Sequence, residues 1–400
     1  MQSTARWMLA CFWLLCVAAP ASAQPRVFLL NAKHLQATKQ RLRANDTLLA
    51  PAWAKLEQEA KQALTIAPPS VVSKAVTPPS GDKHDYMSQA PYFWPDPKSQ
   101  NGLPYIRRDG ERNPEINKIS DHSTMDNMVA AVETLALAYY FKGDEAYAAK
   151  AAQLLRAWFL DAATRMNPNL EFAQGIPGIN TGRGIGLIET RGLTRAVDAI
   201  GLLAGSKAWT AADQRGVQAW YSAFLKWMQE SKNGREEAAA KNNHGTYYDI
   251  QAVSFALFLG QRELATNILE TAKQKRIALQ IEPDGRQPLE LVRTKAWGYS
   301  TGNLNGLMLL AQLGEHVGVD LWHYETKDGR GIRRALDYLV PFALGEKKWP
   351  EQQLGEWPPQ MLYPLLRRAA AKYRDAKLSA VLLKIPAPDA AERSRLVMSG

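Results

Sequence analysis

The sequence predicts an all-α protein: an α/α toroid, or incomplete α/α barrel, of helical hairpins with long irregular loops over its cleft. Three observations carry this. Apolar residues recur at helical spacing through most of the chain from residue 126 onward. The periodic stretches come in pairs joined by short glycine or charged turns, and no stretch alternates convincingly as a strand. Hairpins of this kind bury their apolar faces only by stacking on neighbours. Without a fixed repeat period they are expected to close on themselves rather than extend as an open solenoid.

Residues 1–23 stand apart from the fold. Arg6 precedes the apolar run WMLACFWLLCVAA, and PASAQ follows with Ala21 and Ala23 at the small positions of a cleavage site. The run falls short of the ~20 apolar residues of a spanning helix, so it reads as a signal peptide cut after Ala23. The expectation is a periplasmic or secreted single domain over 24–400, monomeric and free of the membrane once cleaved. Cys11 and Cys16 are the only cysteines and lie in that segment, so the remainder has no disulfide and no thiol nucleophile.

Residues 66–122 are rich in Pro, Gly and Asp and read as a long loop. Its aromatics, among them Tyr92 and Trp94, argue for order rather than disorder. The first hairpin follows over 126–162, where Gly143 ends one helix and Asp144 caps the next. A glycine-rich stretch over 172–192 carries Arg183 and Arg191 and does not follow a predicted strand, so it is no dinucleotide fingerprint. Then come TRAVDAIGLLAGS with a helix capped by Thr210, YYDIQAVSFALFLGQ with RELATNILETAKQKRIALQI, STGNLNGLMLLAQLG with GIRRALDYLVPFALG, and MLYPLLRRAAAKY.

The net charge is +10, from 49 Lys and Arg against 39 Asp and Glu. A basic exported protein can meet an acidic polymer. No Lys/Arg-rich tract or nucleic-acid motif is present, so nucleic acid is not the expected partner. No His/Cys/carboxylate cluster has ligand spacing, so neither a metal nor a cofactor is expected.

Two polar groups interrupt this pattern. KNNHGTYYDIQ sets Asn242, Asn243 and His244 at the entrance of a helix, with Tyr248 four residues past the histidine. Capping asparagines and packed tyrosines would explain that group by itself. PLELVRTKAWGYSTGNLNG adds Arg293, Trp297 and Tyr299 at the start of another helix. Arg293 and Trp297 share a helical face and Tyr299 lies about 120° away, so convergence requires a break, for which Gly298 is the candidate.

Amide, guanidinium, imidazole and phenol together suit β-elimination from a polyuronate. Hydrogen bonds to the uronate carboxylate stabilise the charge that develops when C5 is deprotonated, a base takes that proton, and an acid protonates the departing O4. Glycoside hydrolysis instead needs two apposed carboxylates, and the sequence nominates no such pair. A hydrolase on the same toroid and a non-catalytic binder of acidic polysaccharide remain the alternatives.

NNHGTYYDIQ, PYFWPDP…GLPYIRRDGERNPE and QPLELVRTKAWGYS, in that order, resemble the alginate lyase superfamily over roughly residues 80–305. The nearest families are polysaccharide lyases five and thirty-eight, more closely the latter. The resemblance implies an α/α toroid and metal-independent elimination. It places the family's carboxylate-binding and catalytic groups on Asn243, His244, Arg293 and Tyr299. Family five continues its motif with Ser-Tyr-Trp where this chain has Gly245, Thr246 and Tyr247, which widens the expected substrate to alginate or glucuronan. Tyr92, Trp94, Arg107, Arg108 and Arg183 are expected to wall the cleft, with Asn242, Tyr248 and Trp297 touching the sugars. His84 and His122 flank the long loop, within reach of the cleft.

Overall fold

A computed structural model describes residues 24–398. The signal-peptide reading of 1–23 lies outside these residues. Two helices absent from the reading above come first, α1 (Ala32–Arg43) and α2 (Ala50–Ala63), followed by α3 (Asp121–Lys142) and α4 (Glu145–Phe159). Next are α5 (Leu193–Leu202), α6 (Ala211–Glu230), the short α7 (Lys232–Ala238), α8 (Asn243–Phe258) and α9 (Arg262–Ala272). A single turn α10 (Pro288–Leu291) leads to α11 (Ala296–Gly314), then α12 (Ile332–Ala343), α13 (Tyr363–Tyr373), α14 (Ala376–Leu382) and α15 (Ser394–Val397). None of them is long and apolar enough to cross a membrane among the described residues.

The turn chemistry falls where the sequence puts it. Gly143 ends α3 in the left-handed region at φ 82°, and Asp144 accepts from the Ala146 amide to cap α4. Thr210 and Asp213 form a capping box on α6. Packing then arranges the hairpins as an α/α toroid. An inner series runs α3 on α5, α5 on α8, α8 on α11 and α11 on α13. Outer partners cover it: α2 and α4 on α3, α6 and α9 on α8, α12 on α11, α14 on α13. Inner helices α8 and α11 are accordingly apolar nearly all round and buried on most sides.

The long loop is not wholly irregular. It contributes β1 (Met87–Gln89), β2 (Phe93–Trp94) and β3 (Ile106–Arg107), while β4 (Phe172–Gly175) comes from the glycine-rich stretch. β1 pairs with β4 in parallel and β2 with β3 antiparallel. These strands are too short to show alternation, which is why the sequence hides them. A buried ion pair anchors the loop: Lys74 Nζ lies 2.9 Å from Asp121 Oδ2, and the same oxygen accepts from the Met87 amide. Burial pushes the Asp121 carboxyl up to about 6 against the pull of Lys74. Across the ring, Asp198 on α5 accepts from the amides of Phe28, Leu29 and Leu30 and lays the N-terminal segment beside the cleft.

Candidate active site

The inner helices enclose a cleft of about 1680 Å³. Two helix entrances face it.

At the first, Asn242 caps α8 by accepting from the His244 amide at 3.3 Å. Glu290 takes both the Asn243 backbone amide and its side-chain Nδ2, each at 2.7 Å. One hydrogen of Nδ2 is thereby fixed, and the other is left for the cleft that Asn243 lines. Burial pushes the Glu290 carboxyl up, against these bonds. His244 Nδ1 lies 2.7 Å from Glu237 Oε1, whose side chain is 1 % exposed. An ionised carboxylate only accepts, so Nδ1 carries a proton, and in the neutral imidazole the lone pair is on Nε2.

At the second entrance the chain breaks at residues 292–295, not at Gly298, which stays inside α11. The break is what joins Arg293 to Tyr299: Nη2 donates to the phenol oxygen at 2.7 Å, and the guanidinium carbon lies 3.8 Å from the ring centroid. A continuous helix would have held them on different faces. Asp109 fixes the guanidinium from the far side, accepting from Nε at 3.1 Å and Nη2 at 2.8 Å, which leaves Nη1 for a ligand. The Arg293 bond holds the Asp109 carboxyl well below the usual carboxylate range. Tyr92 completes the group, its hydroxyl 3.1 Å from that of Tyr299. Burial first and the Tyr92 hydrogen bond second push the Tyr299 phenol up, so it rests protonated.

A buried amide network ties the entrances together. Asn303 on α11 donates to Gln280 at 2.9 Å and Gln287 at 2.8 Å, while Thr246 on α8 donates to Gln280 at 3.0 Å.

The structure sorts the remaining expectations. Asn242, Tyr92, Arg107 and Arg183 line the cleft, as does His122. Trp94 and Arg108 instead stack on each other at 5.2 Å, and Trp94 donates to the Glu111 carbonyl, outside the lining. Tyr248 is turned into the core, its hydroxyl donating to the Met228 carbonyl at 3.1 Å. Trp297 is fully buried against Trp349 and Trp357 and holds the base of α11. Neither lines the cleft: His244 sits in the first turn of α8 while Tyr248 is already among the buried helices, and Arg293 lies in the break before α11, so the helix sets only Trp297. His84 bonds the Arg165 carbonyl at 2.6 Å and does not line the cleft. Glu237, Glu290 and Asp109 are the residues that sequence reasoning missed.

The three departures from the family-five motif separate cleanly. A Cβ on Gly245 would run into the Ala240 carbonyl and the Arg276 guanidinium, so glycine is required there by packing. Thr246 is fully buried in the amide network. Tyr247 alone of the three lines the cleft.

The sequence model of the alginate lyase family matches residues 70–349. A crystal structure of an alginate lyase from Bacteroides ovatus is similar at 42% identity and a TM-score of 0.90, over 93% of this chain and 99% of that one. Alginate lyase A1-III from Sphingomonas species A1 shares the fold at 16% identity and a TM-score of 0.57, over 94% of this chain and 98% of its own. A variant of alginate lyase A1-III complexed with tetrasaccharide superposes with a TM-score of 0.59 at 16% identity, over 95% and 98%. No curated protein matches the chain.

Proposed function

The chain belongs to the alginate lyase family and is a polysaccharide lyase, and from that premise we propose that the two helix entrances act together on a polyuronate, alginate or a glucuronan-like chain. One observation supports this above others: the Arg293 guanidinium, held by Asp109, donates directly to the Tyr299 hydroxyl inside the cleft.

In this reading the uronate carboxylate accepts from Arg293 Nη1 and from the second hydrogen of Asn243 Nδ2. Charge spreads onto its oxygens as C5 loses its proton, and these donors meet that charge where it develops. The C5 electron pair forms the C4–C5 double bond, the C4–O4 bond breaks, and O4 leaves with the Tyr299 proton. Where C5–H and O4 lie on opposite faces, His244 Nε2 takes the C5 proton. Where they share a face, the Tyr299 phenol gives its own proton to O4 as its oxygen takes the C5 proton, so the phenol is restored within the step. In both cases C5 loses one proton, O4 gains one and no water is consumed; on the opposite-face path the proton held by His244 must return to the Tyr299 phenolate before the next turnover.

Hydrolysis fits the carboxylates less well. Glu189 is held by Tyr86 at 2.7 Å and Ser88 at 2.6 Å, Glu133 by Arg195 at 3.0 Å, and Asp198 by three backbone amides. These three are committed to structural bonds; of the other carboxylates lining the cleft, Glu315 is bonded to Lys372 and Trp322, and Asp126 lies 3.4 Å from His122. The test is the ultraviolet absorbance of the C4–C5 unsaturated uronate on a panel of polyuronates. New reducing ends without that chromophore would make the enzyme a hydrolase. We also propose that residues 1–23 direct export of a single catalytic domain, for which a mature N-terminus at Gln24 is the check.

A further inference from the structure

Four of the cations that line the cleft are paired, Arg107 and Arg293 with Asp109, Arg195 with Glu133 and Lys372 with Glu315, while Arg112, Arg183, Arg191, Lys295 and Arg368 have no ion pair among the described residues. Two of these, Arg183 and Arg368, also keep a buried guanidinium nitrogen without a partner, and Arg183 still donates to Gln174 through Nη2, which leaves Arg368 on α13 as the less satisfied. It lines the cleft, its Nη1 is buried with no hydrogen-bond partner, and it forms no ion pair among the described residues. Burial pushes its pKa down, and the Tyr247 phenol is what opposes that shift. An unpaired buried charge is destabilising, so a fold keeps one at a cost that a ligand can offset.

A second arginine lies beside the same tyrosine. Arg191 lines the cleft with its guanidinium carbon 5.6 Å from the Tyr247 ring centroid, and its side chain has no ion pair among the described residues. Tyr247 itself is fixed, donating to the Gly302 carbonyl at 3.0 Å. The position along the helices is informative. Tyr247 lies three residues beyond His244 on α8, and Gly302 three beyond Tyr299 on α11. That is about 4.5 Å along each axis at ~1.5 Å per residue. Tyr247 therefore marks a layer of the cleft one step beyond the groups that meet the scissile uronate, and both arginines line the cleft near it.

We propose that Arg368 and Arg191, with Tyr247 as their shared platform, form a second carboxylate subsite that binds the uronate next to the one being cleaved. The inference rests on the lyase reading and sharpens it. A cleft with carboxylate donors in consecutive layers selects a chain carrying a carboxylate on consecutive sugars. A polymer in which uronates alternate with neutral sugars would leave Arg368 unpaired on binding.

The experiment is Arg368→Met, which keeps an apolar stem and removes the charge, with Arg191→Ala as the second variant. Saturated oligouronates of two to six sugars supply equilibrium binding and kinetics, and thermal unfolding is recorded alongside. Arg368→Met is expected to raise Kd and KM for tetrasaccharides and longer chains about tenfold, with kcat within about twofold. The penalty should shrink on disaccharides, and Tm should hold or rise because the unpaired charge is gone. Unchanged Kd on long chains for both variants would overturn the proposal. So would a lower Tm with an equal loss at every length, which would make Arg368 a structural cation. Binding reads this subsite whether or not turnover occurs. A wild-type protein that binds oligouronates with the Arg368 penalty yet releases no unsaturated product would sink the lyase assignment of the cleft and leave the subsite standing.

Discussion

The two halves of the site are held by opposite means. The α8 entrance is anchored from nearby or from within the ring: Glu237 on α7 orients His244, and Glu290 on α10 orients Asn243. The α11 entrance is anchored by the long loop, because Asp109 and Tyr92 stand 184 and 207 residues away from the groups they hold. The imidazole half is thus assembled by helix packing, while the guanidinium–phenol pair, joined locally, is braced by the loop through Asp109 and Tyr92. Damage to the loop should act as though the α11 groups themselves had been altered.

The largest effect expected from breaking this arrangement is at Arg293. Arg293→Ala should lower kcat and kcat/KM together by about a thousandfold, since its donors act on charge that develops only in the transition state. On methyl-esterified polyuronate the penalty should shrink, because that carboxyl is already uncharged. A rise in KM alone would reduce Arg293 to a binding residue. Next is Asp109→Ala, expected to cost about a hundredfold although Asp109 touches no substrate. If kcat/KM changes by less than about threefold, the loop is not what holds the α11 half.

Glu237→Gln tests the other half. A carboxamide presents a neutral oxygen or a donor to Nδ1, so the imidazole loses its fixed proton position. Guluronate-type linkages, with C5–H and O4 on opposite faces, should lose about tenfold more activity than mannuronate- or glucuronate-type ones. Equal losses on all linkages would remove His244 as an epimer-specific base.

The smallest effect concerns pH. The Tyr92 hydrogen bond helps to raise the Tyr299 phenol above its ordinary value, so removing it lowers that pKa. In the proposed mechanism Tyr299 serves as an acid and must be protonated. The alkaline limb of kcat/KM should therefore lie above ~10 in the wild type and move to lower pH in Tyr92→Phe. A limb that stays in place would show that Tyr92 does not tune the phenol.

The same contrast explains what the sequence revealed. Hairpins were legible because apolar spacing and caps such as Thr210 and Asp144 are local signals, and Asn243, His244, Arg293 and Tyr299 stood out as polar groups at helix starts. Their supports were not legible. Glu237 sits on a separate short helix, so no helical spacing links it to His244, and Asp109 is one polar residue among many in RRDGER. Tyr248 and Trp297 misled for the same reason: an aromatic four residues past a polar group looks like part of a site until packing turns it inward. The break that unites Arg293 with Tyr299 came at 292–295 rather than at Gly298, since helix ends depend on tertiary contacts that one glycine does not dictate.

The central claim is that one phenol, Tyr299, delivers the proton that lets O4 leave. It is tested most directly by following the absorbance of the unsaturated uronate with Tyr299→Phe, alongside equilibrium binding of the same polyuronate. The account predicts turnover reduced at least about a thousandfold with Kd within about threefold of wild type. Turnover close to wild type, with the ring present and the hydroxyl gone, would contradict it.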